Sequence, residues 1–298
     1  RGAALFRAYG AYLQQIRIPF SQSYIAETLT RHAGVTADIF ALFAARFLTT
    51  AQASAEAAIR GRIEHALEAV PSLDEDRILR HFVNLAGATN RTNFYQRRRD
   101  ESPPETIAFK LNSAAVDGMP EPRPLAEIYV HGPRVEGVHL RFAPIARGGL
   151  RWSDRAQDFR TEVLGLVKAQ QVKNTVIVPQ GAKGGFLPKR LPVGGSRDAI
   201  QKEGIAAYEL FVSTLLDLTD NLVDGRIVPP AGVVRHDGDD PYLVVAADKG
   251  TASFSDIANG ISTARGFWLG DAFASGGSAG YDHKKMAITA RGAWESVK

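Results

Sequence analysis

The sequence of 298 residues contains no cysteine. This absence excludes disulfide bonds, thiolate ligands to a metal and a cysteine nucleophile, and the sequence gives no sign of an oxidising compartment. Long apolar runs are also missing, since no stretch approaches the roughly 20 residues of a membrane-spanning helix. The chain does not open with a secretory signal. We therefore expect a cytoplasmic protein that does not cross a membrane.

A strong excess of one charge is missing as well. The chain has 36 Lys and Arg residues and 32 Asp and Glu residues, for a net charge of +4. This balance fits an anionic small substrate and does not require nucleic acid. The stretch FYQRRR at 94–99 mixes aromatic and basic side chains, but it is short and isolated. A solvated helix end or linker is therefore the better interpretation than a nucleic-acid site.

Two regions differ in their sequence pattern. Residues 1–100 have apolar residues at helical spacing, and a helix is predicted from a Ser72 cap to Gln96. Charge and two prolines at 97–105 mark a boundary. Residues 101–298 alternate β-rich and helical segments, and this alternation predicts an α/β domain with a mixed sheet after the N-terminal helical region.

The two ends of the sequence lie within helical patterns. The chain starts at Arg1 directly in such a pattern, and it stops at Lys298 without a capping residue or a glycine stop. We expect this sequence to be a piece of a longer polypeptide.

Three polar residues follow predicted strands. Arg147 comes after HLRFAP, Lys183 lies in PQGAKGG after the predicted strand TVIVP at 175–179, and Asp248 ends the predicted strand YLVVAAD. In open α/β sheets, ligands bind at the carboxyl ends of strands. A guanidinium, an amine and a carboxylate are therefore expected to line one cleft.

The glycines around Lys183 admit more than one interpretation. A phosphate-binding loop would require G-x-x-x-x-G-K-[ST], whereas Gly184 follows Lys183 and Pro188 opposes a helix directly afterwards. Small neighbours would let a substrate approach closely, and a desolvated lysine beside other cations releases its proton readily enough to act as a base. An ordinary solvated turn is the alternative, and the residues alone do not decide between the two.

Two further stretches contain residue types that occur in ligand sites. The turn RHDGDDP at 235–241 collects His236 and three aspartates, but acidic turns with Gly and Pro are common, and we predict no metal there. The glycine-rich stretch GDAFASGGSAG at 270–280 lacks the strand and the spacing of a dinucleotide-binding loop.

The segments GGLRWSD, EVLGLVKAQQVKNTVIVPQGAKGG and YLVVAADKGTASFSDIAN, in this order, closely resemble glutamate dehydrogenases. The chain is most similar to the large-subunit, NAD-specific bacterial class, over residues ~105–298 by motif and order. Residues 1–99 are similar to the helical segment before the catalytic domain in that class. The resemblance implies oxidative deamination of L-glutamate to 2-oxoglutarate and ammonium, with NAD as cofactor.

The resemblance also implies roles for individual residues. Arg147 would bind the side-chain carboxylate of glutamate, and Lys173 would bind its α-carboxylate. Lys183 would be the catalytic amine, and Asp248 would carry protons to and from the nitrogen. Thr289 matches a threonine that contacts the nicotinamide amide.

This sequence departs from the family pattern at three points. Smaller family members have lysine at the position of Arg147, although arginine also binds carboxylates through a bidentate fork. The stretch QGAKGG is one glycine shorter than in the family. Ala290 replaces the glycine that usually follows the threonine.

The resemblance implies partners for this chain. We expect an NAD-binding Rossmann domain beyond the C-terminus and a homo-oligomer, with no nucleic-acid partner. The alternative hypothesis is a dicarboxylate-binding or regulatory module without catalytic activity.

Overall fold

The computed structural model describes residues 1–48, 53–98, 100–173, 180–248, 250–251, 253–278 and 285–297. Five helices come first: Gly2–Gln15 (α1), Gln22–Arg31 (α2), Ala33–Phe47 (α3), Ala53–Leu67 (α4) and Leu73–Ala88 (α5). The side chains of Ser21 and Ser72 cap α2 and α5 by accepting the backbone N–H groups of Tyr24 and Glu75. The predicted helical character of the N-terminal region is confirmed.

Strands and helices then follow one another. The strands are Thr89–Thr92 (β1), Ile107–Leu111 (β2), Ala126–His131 (β3), Val135–Arg141 (β4), Leu150–Trp152 (β5), Ala182–Pro188 (β6), Asn221–Val223 (β7), Arg226–Val228 (β8), Val245–Ala246 (β9) and Ala274–Ser275 (β10). The helices are Phe159–Lys173 (α6), Arg197–Leu216 (α7), Ser255–Ala264 (α8) and Ile288–Val297 (α9), with 3₁₀ turns at Ser113–Ala115 and Gly270–Ala272. Within the described residues, no helix combines the length and the apolar character that crossing a membrane requires.

The main sheet is mixed, as predicted. Its strand order is β1-β2-β3-β4-β6-β5, and neighbouring strands are antiparallel except for the parallel pair β5 and β6. Helix α6 lies between these two strands in the chain, as a parallel connection requires. The strand that the sequence predicts at 175–179 lies outside the described residues.

The end of the fifth helix was predicted incorrectly. The sequence pattern continues the helix to Gln96, whereas α5 ends at Ala88 and the next four residues form β1. Strand β1 pairs antiparallel with β2, and its two threonines are β-branched residues that suit a strand. Pairing across the sheet therefore outweighs the local helical pattern.

The two faces of the sheet pack against different helices. Alternate strand residues such as Phe109 and Tyr129 join one hydrophobic core with the N-terminal helices and α6. Tyr9 of α1 lies 4.5 Å from Phe109, measured between ring centroids. Residues on the other face, including Phe186, pack against α7 and α8. The N-terminal helices thus cover one side of the sheet directly.

The aromatic part of FYQRRR belongs to this core. Phe94 is buried, and its ring packs edge-on against Phe43 with the centroids 5.3 Å apart. Arg98 is exposed and forms a salt bridge with Glu105. The prediction of a solvated segment is therefore wrong for Phe94.

A buried ion pair fixes α6 to the sheet. Arg160 of α6 donates two hydrogen bonds to Glu127 of β3, at 2.8 and 2.6 Å, and both side chains are almost fully excluded from solvent. Two parallel bonds between planar groups define one orientation. This contact sets the position of α6 above the strands that carry the candidate site.

Candidate functional site

Two consecutive glycines bring the start of β5 against β6. The N–H group of Ala182 donates to the Arg147 carbonyl at 3.0 Å, and the N–H group of Gly184 donates to the Gly149 carbonyl at 3.1 Å. A Cβ atom at Gly148 would lie 1.4 Å from the Ala182 carbonyl oxygen. The GG motif of the sequence is therefore required for the close approach of these two segments.

Lys183 lies in a strand. The sequence places it in a glycine-rich loop beyond a strand, but it is the second residue of β6 and pairs with Leu140 of β4. A Cβ atom at Gly184 would lie 2.3 Å from the Leu150 side chain, and one at Gly185 would lie 2.5 Å from Val163. The glycines after Lys183 thus make room for neighbouring side chains, and Lys183 itself is buried.

Asp248 is held against β5 by a short turn. Its backbone N–H donates to the Thr251 hydroxyl at 2.9 Å, and this hydroxyl donates to the Leu150 carbonyl at 2.7 Å. The predicted strand 242–248 is shorter in the structure, where β9 has two residues. A parallel bridge between Leu150 and Ala247 continues the pairing to the residue before Asp248. The turn therefore delivers a carboxylate to the edge of the sheet.

Lys183 and Asp248 form an ion pair through Nζ and Oδ2. The Lys183 side chain is 7% exposed, whereas that of Asp248 is 21% exposed. The contact joins residues 65 positions apart in the chain, and it brings together two of the residues that the sequence singled out. A buried amine in contact with a partly accessible carboxylate can exchange a proton with it directly.

Arg147 lies beside this pair along the backbone. It forms a parallel bridge with Gly181, two residues before Lys183. Its half-buried guanidinium makes no hydrogen bond or salt bridge to the described residues. Arg147 also lies close enough to Tyr242 to act on it electrostatically. Burial raises the pKa of the Tyr242 phenol, and the positive charge of Arg147 opposes this rise. Among the described residues, the donors of this guanidinium therefore have no acceptor, and a bidentate contact with a carboxylate is chemically possible there.

The other two predicted site residues are described only in their backbones. Lys173 is the last residue of α6, and Thr289 is the second residue of α9. Their side chains lie outside the described part of the structure. Their assigned roles stay predictions.

The acidic turn at 235–241 is neutralised by basic residues of the sheet. Lys110 Nζ lies 2.7 Å from Asp240 Oδ2, and Arg91 Nε lies 2.6 Å from Asp237 Oδ1. Burial alone would raise the pKa of Asp240, but Arg141 and Lys110 lower it to about 2. These ion pairs fasten the segment that leads into β9 and Asp248.

The spacing of the charged residues along the sequence does not predict this network of ion pairs. The basic residues stand at positions 91, 110 and 141, on three different strands, and their carboxylate partners lie about 100 or more residues further along the chain. The one visible signal was the cluster of aspartates, which needs counter-charges if it is buried.

We predict that Gly148→Ala distorts the site. The new Cβ atom would overlap the Ala182 carbonyl, so we expect a destabilisation of about 3 kcal/mol or more, measured by urea denaturation. Gly165→Ala is the matched control, because Gly165 is an exposed residue of α6 with open space around it. Alanine there should stabilise the helix by about 0.5–1 kcal/mol. Equal stability of the two variants would contradict the packing role of Gly148.

Comparisons with known proteins agree in pointing to one family. A family model described as bacterial NAD-glutamate dehydrogenase, catalytic domain, matches residues 62–298. A second model, described as glutamate dehydrogenase, helical motif 3, matches residues 1–49.

Several curated relatives carry the name NAD-specific glutamate dehydrogenase, and three of them are bacterial proteins. The proteins from Halomonas elongata and Pseudomonas aeruginosa are 62% and 60% identical over the whole chain, and the one from Mycobacterium tuberculosis is 56% identical over 99% of it. The chain spans 19% of the length of each of these relatives.

Proposed function

Because the chain belongs to the bacterial NAD-glutamate dehydrogenase family, we propose that it forms the substrate-binding and catalytic part of an NAD-dependent glutamate dehydrogenase. The reaction is the oxidative deamination of L-glutamate to 2-oxoglutarate and ammonium. The observation that carries this proposal is the ion pair of buried Lys183 with Asp248, next to the available guanidinium of Arg147.

Two cations suit the two carboxylates of glutamate. The Arg147 guanidinium would bind the side-chain carboxylate through a bidentate contact. Lys173, at the end of α6, would bind the α-carboxylate. Fixing the substrate at both ends orients the hydrogen on its α-carbon, and such orientation supplies a large part of catalysis.

The proton transfers are assigned to Lys183 and Asp248. Hydride would first leave the α-carbon, so that the carbon and its nitrogen form an iminium group. Lys183, after passing its own proton to Asp248, would then accept a proton from the water molecule that adds to this carbon. The resulting ammonium group would stabilise negative charge on the added oxygen. Asp248 would then donate a proton to the departing nitrogen, and the direct contact between the two side chains gives the proton a short path.

NAD supplies the hydride acceptor when it is bound. The chain fits this cofactor in part, because Thr289 matches the family's nicotinamide contact while the sequence contains no G-x-G-x-x-G loop. A short strand, β10, does lie within the glycine-rich stretch, contrary to the sequence prediction, but it has only two residues. We expect the C-terminal NAD-binding domain of the family to provide the rest of the cofactor site.

Other features of the whole protein remain proposals. These are the cytoplasmic location, the homo-oligomeric state and the division into a helical region, 1–100, and a glutamate-binding catalytic domain, 101–298.

We predict that Lys183→Ala in the intact natural protein lowers turnover by roughly 10²–10⁴-fold, because the general base is lost. Glutamate-dependent NADH formation, followed by absorbance, measures this effect. Lys202→Ala is the control, since Lys202 is exposed on α7, away from the site. A folded Lys183→Ala protein with near-native turnover would rule out the assigned role. A native protein that binds dicarboxylates and NAD but forms no NADH would favour the module without catalytic activity.

Arg147→Ala should act mainly on substrate binding. Losing hydrogen bonds to a charged group should raise the KM for glutamate roughly 10–100-fold. The preference for glutamate over neutral amino acids should fall in parallel, measured as the ratio of their kcat/KM values. Arg134→Ala is a suitable control, because Arg134 pairs with Glu203 of α7 instead. An unchanged preference would show that Arg147 does not contact the side-chain carboxylate.

A further inference from the structure

A second cation lies beside Asp248. Arg151 of β5 places Nη1 4.0 Å from Asp248 Oδ1, while Lys183 contacts the other carboxylate oxygen, Oδ2. The two oxygens of one carboxylate thus lie near two different cations. This arrangement favours one rotation of the carboxylate, because turning it would weaken the attraction to both cations.

Arg151 is itself held from helix α6. Its Nε donates to Glu162 Oε1 at 2.9 Å, and the Ser153 hydroxyl donates to Glu162 Oε2 at 2.6 Å. Glu162 is therefore bound at both oxygens and cannot move freely. The guanidinium of Arg151 takes its position from this anchored carboxylate.

The four charged groups form a row of alternating sign: Glu162, Arg151, Asp248 and Lys183. The exposed fractions of their side chains are 12%, 21%, 21% and 7%, in that order. Interactions between such sheltered charges extend over several ångströms, since water screens them only in part. Glu162 and Arg151 can therefore affect proton transfer between Asp248 and Lys183.

Other charged groups near the pair do not belong to this row. His139 and Arg141 of β4 pair with Gly184 and Ala182, which flank Lys183, and so they lie on the opposite face of the sheet. Burial and the charge of Arg141 lower the pKa of His139 to about 3, so His139 stays neutral.

One more basic residue and one phenol lie next to β5. Arg147 precedes the strand, and its positive charge acts on the Tyr242 phenol. Arg155, which is exposed, also acts electrostatically on Glu162. Arg151 and Glu162 are the described charges that contacts of 4.0 Å or less link to the pair.

We propose that Arg151 is a positioning residue for the reaction: it aims the Asp248 carboxylate at Lys183 and, with Glu162, sets the pH at which this pair transfers protons. The inference rests on the proposed function. Neither Arg151 nor Glu162 needs to contact the substrate for this role. Their removal should therefore act on kcat and on its pH dependence more than on the KM for glutamate.

Two substitutions, one that removes a positive charge and one that removes a negative charge, test this role in the intact natural protein. Arg151→Gln removes a cation, so Lys183 and Asp248 keep their protons to higher pH. The acidic limb of the pH profile of kcat/KM should then move up by about 0.5–1 pH unit. Glu162→Gln removes an anion, and the same limb should move down. Arg151→Lys keeps the charge, so its limb should stay near the native position while kcat falls through the lost fork geometry.

A matched control is available close by. Arg155 and Asp158 form an exposed ion pair at the start of α6, and Arg155→Gln and Asp158→Asn should leave the limb in place. If the role of Arg151 were purely structural, Arg151→Gln and Glu162→Gln would lower activity without moving the acidic limb in opposite directions. If Arg151→Gln fails to fold, Glu162→Gln and Arg151→Lys still make separate predictions.

The outcomes distinguish the two proposals. An active native protein in which the limb does not move, or moves the same way in both variants, would overturn the role of Arg151 and leave the proposed function standing. A folded, NAD-binding native protein without glutamate-dependent activity would overturn the proposed function and this role together.

Discussion

The close pairing between the segment that enters β5 and the start of β6 is the contact on which the candidate site depends. It requires Gly148, because any side chain there would overlap the Ala182 carbonyl. Through this pairing, the backbone of Arg147 lies near that of Lys183. The Leu150 carbonyl accepts a hydrogen bond from the Thr251 hydroxyl, which holds the turn of Asp248. One backbone constraint thus brings together three functional groups from distant parts of the chain.

Ion pairs away from the candidate site help to hold Asp248 in its position. The acidic turn before β9 is tied to Arg91, Lys110 and Arg141 of the sheet, so the segment that carries Asp248 has a fixed starting point. Breaking a buried pair of this kind on one side leaves an uncompensated charge, which is strongly unfavourable. The network therefore commits the chain to one path between the sheet and the site.

The sequence predicted the classes of structure and the family, because periodicity and ordered motifs are local properties. It did not predict that Lys183 lies within a strand, since the glycines around it are typical of a loop until the packing of Leu150 and Val163 is known. The prediction that α5 extends to Gln96 was wrong for a similar reason, because pairing with β2 determines that residues 89–92 form β1. The partners of the aspartates were also beyond prediction, since ion pairs across the sheet leave no regular spacing.

We propose above all that Lys183 and Asp248 act together in proton transfer. The most direct measurement compares glutamate-dependent NADH formation by the intact natural protein with that of Asp248→Asn, which keeps the size of the side chain and removes its charge. We expect native activity and a fall in kcat of roughly 10²-fold or more in the variant, with folding confirmed by circular dichroism. A folded variant with a near-native kcat would exclude Asp248 from the proton transfers.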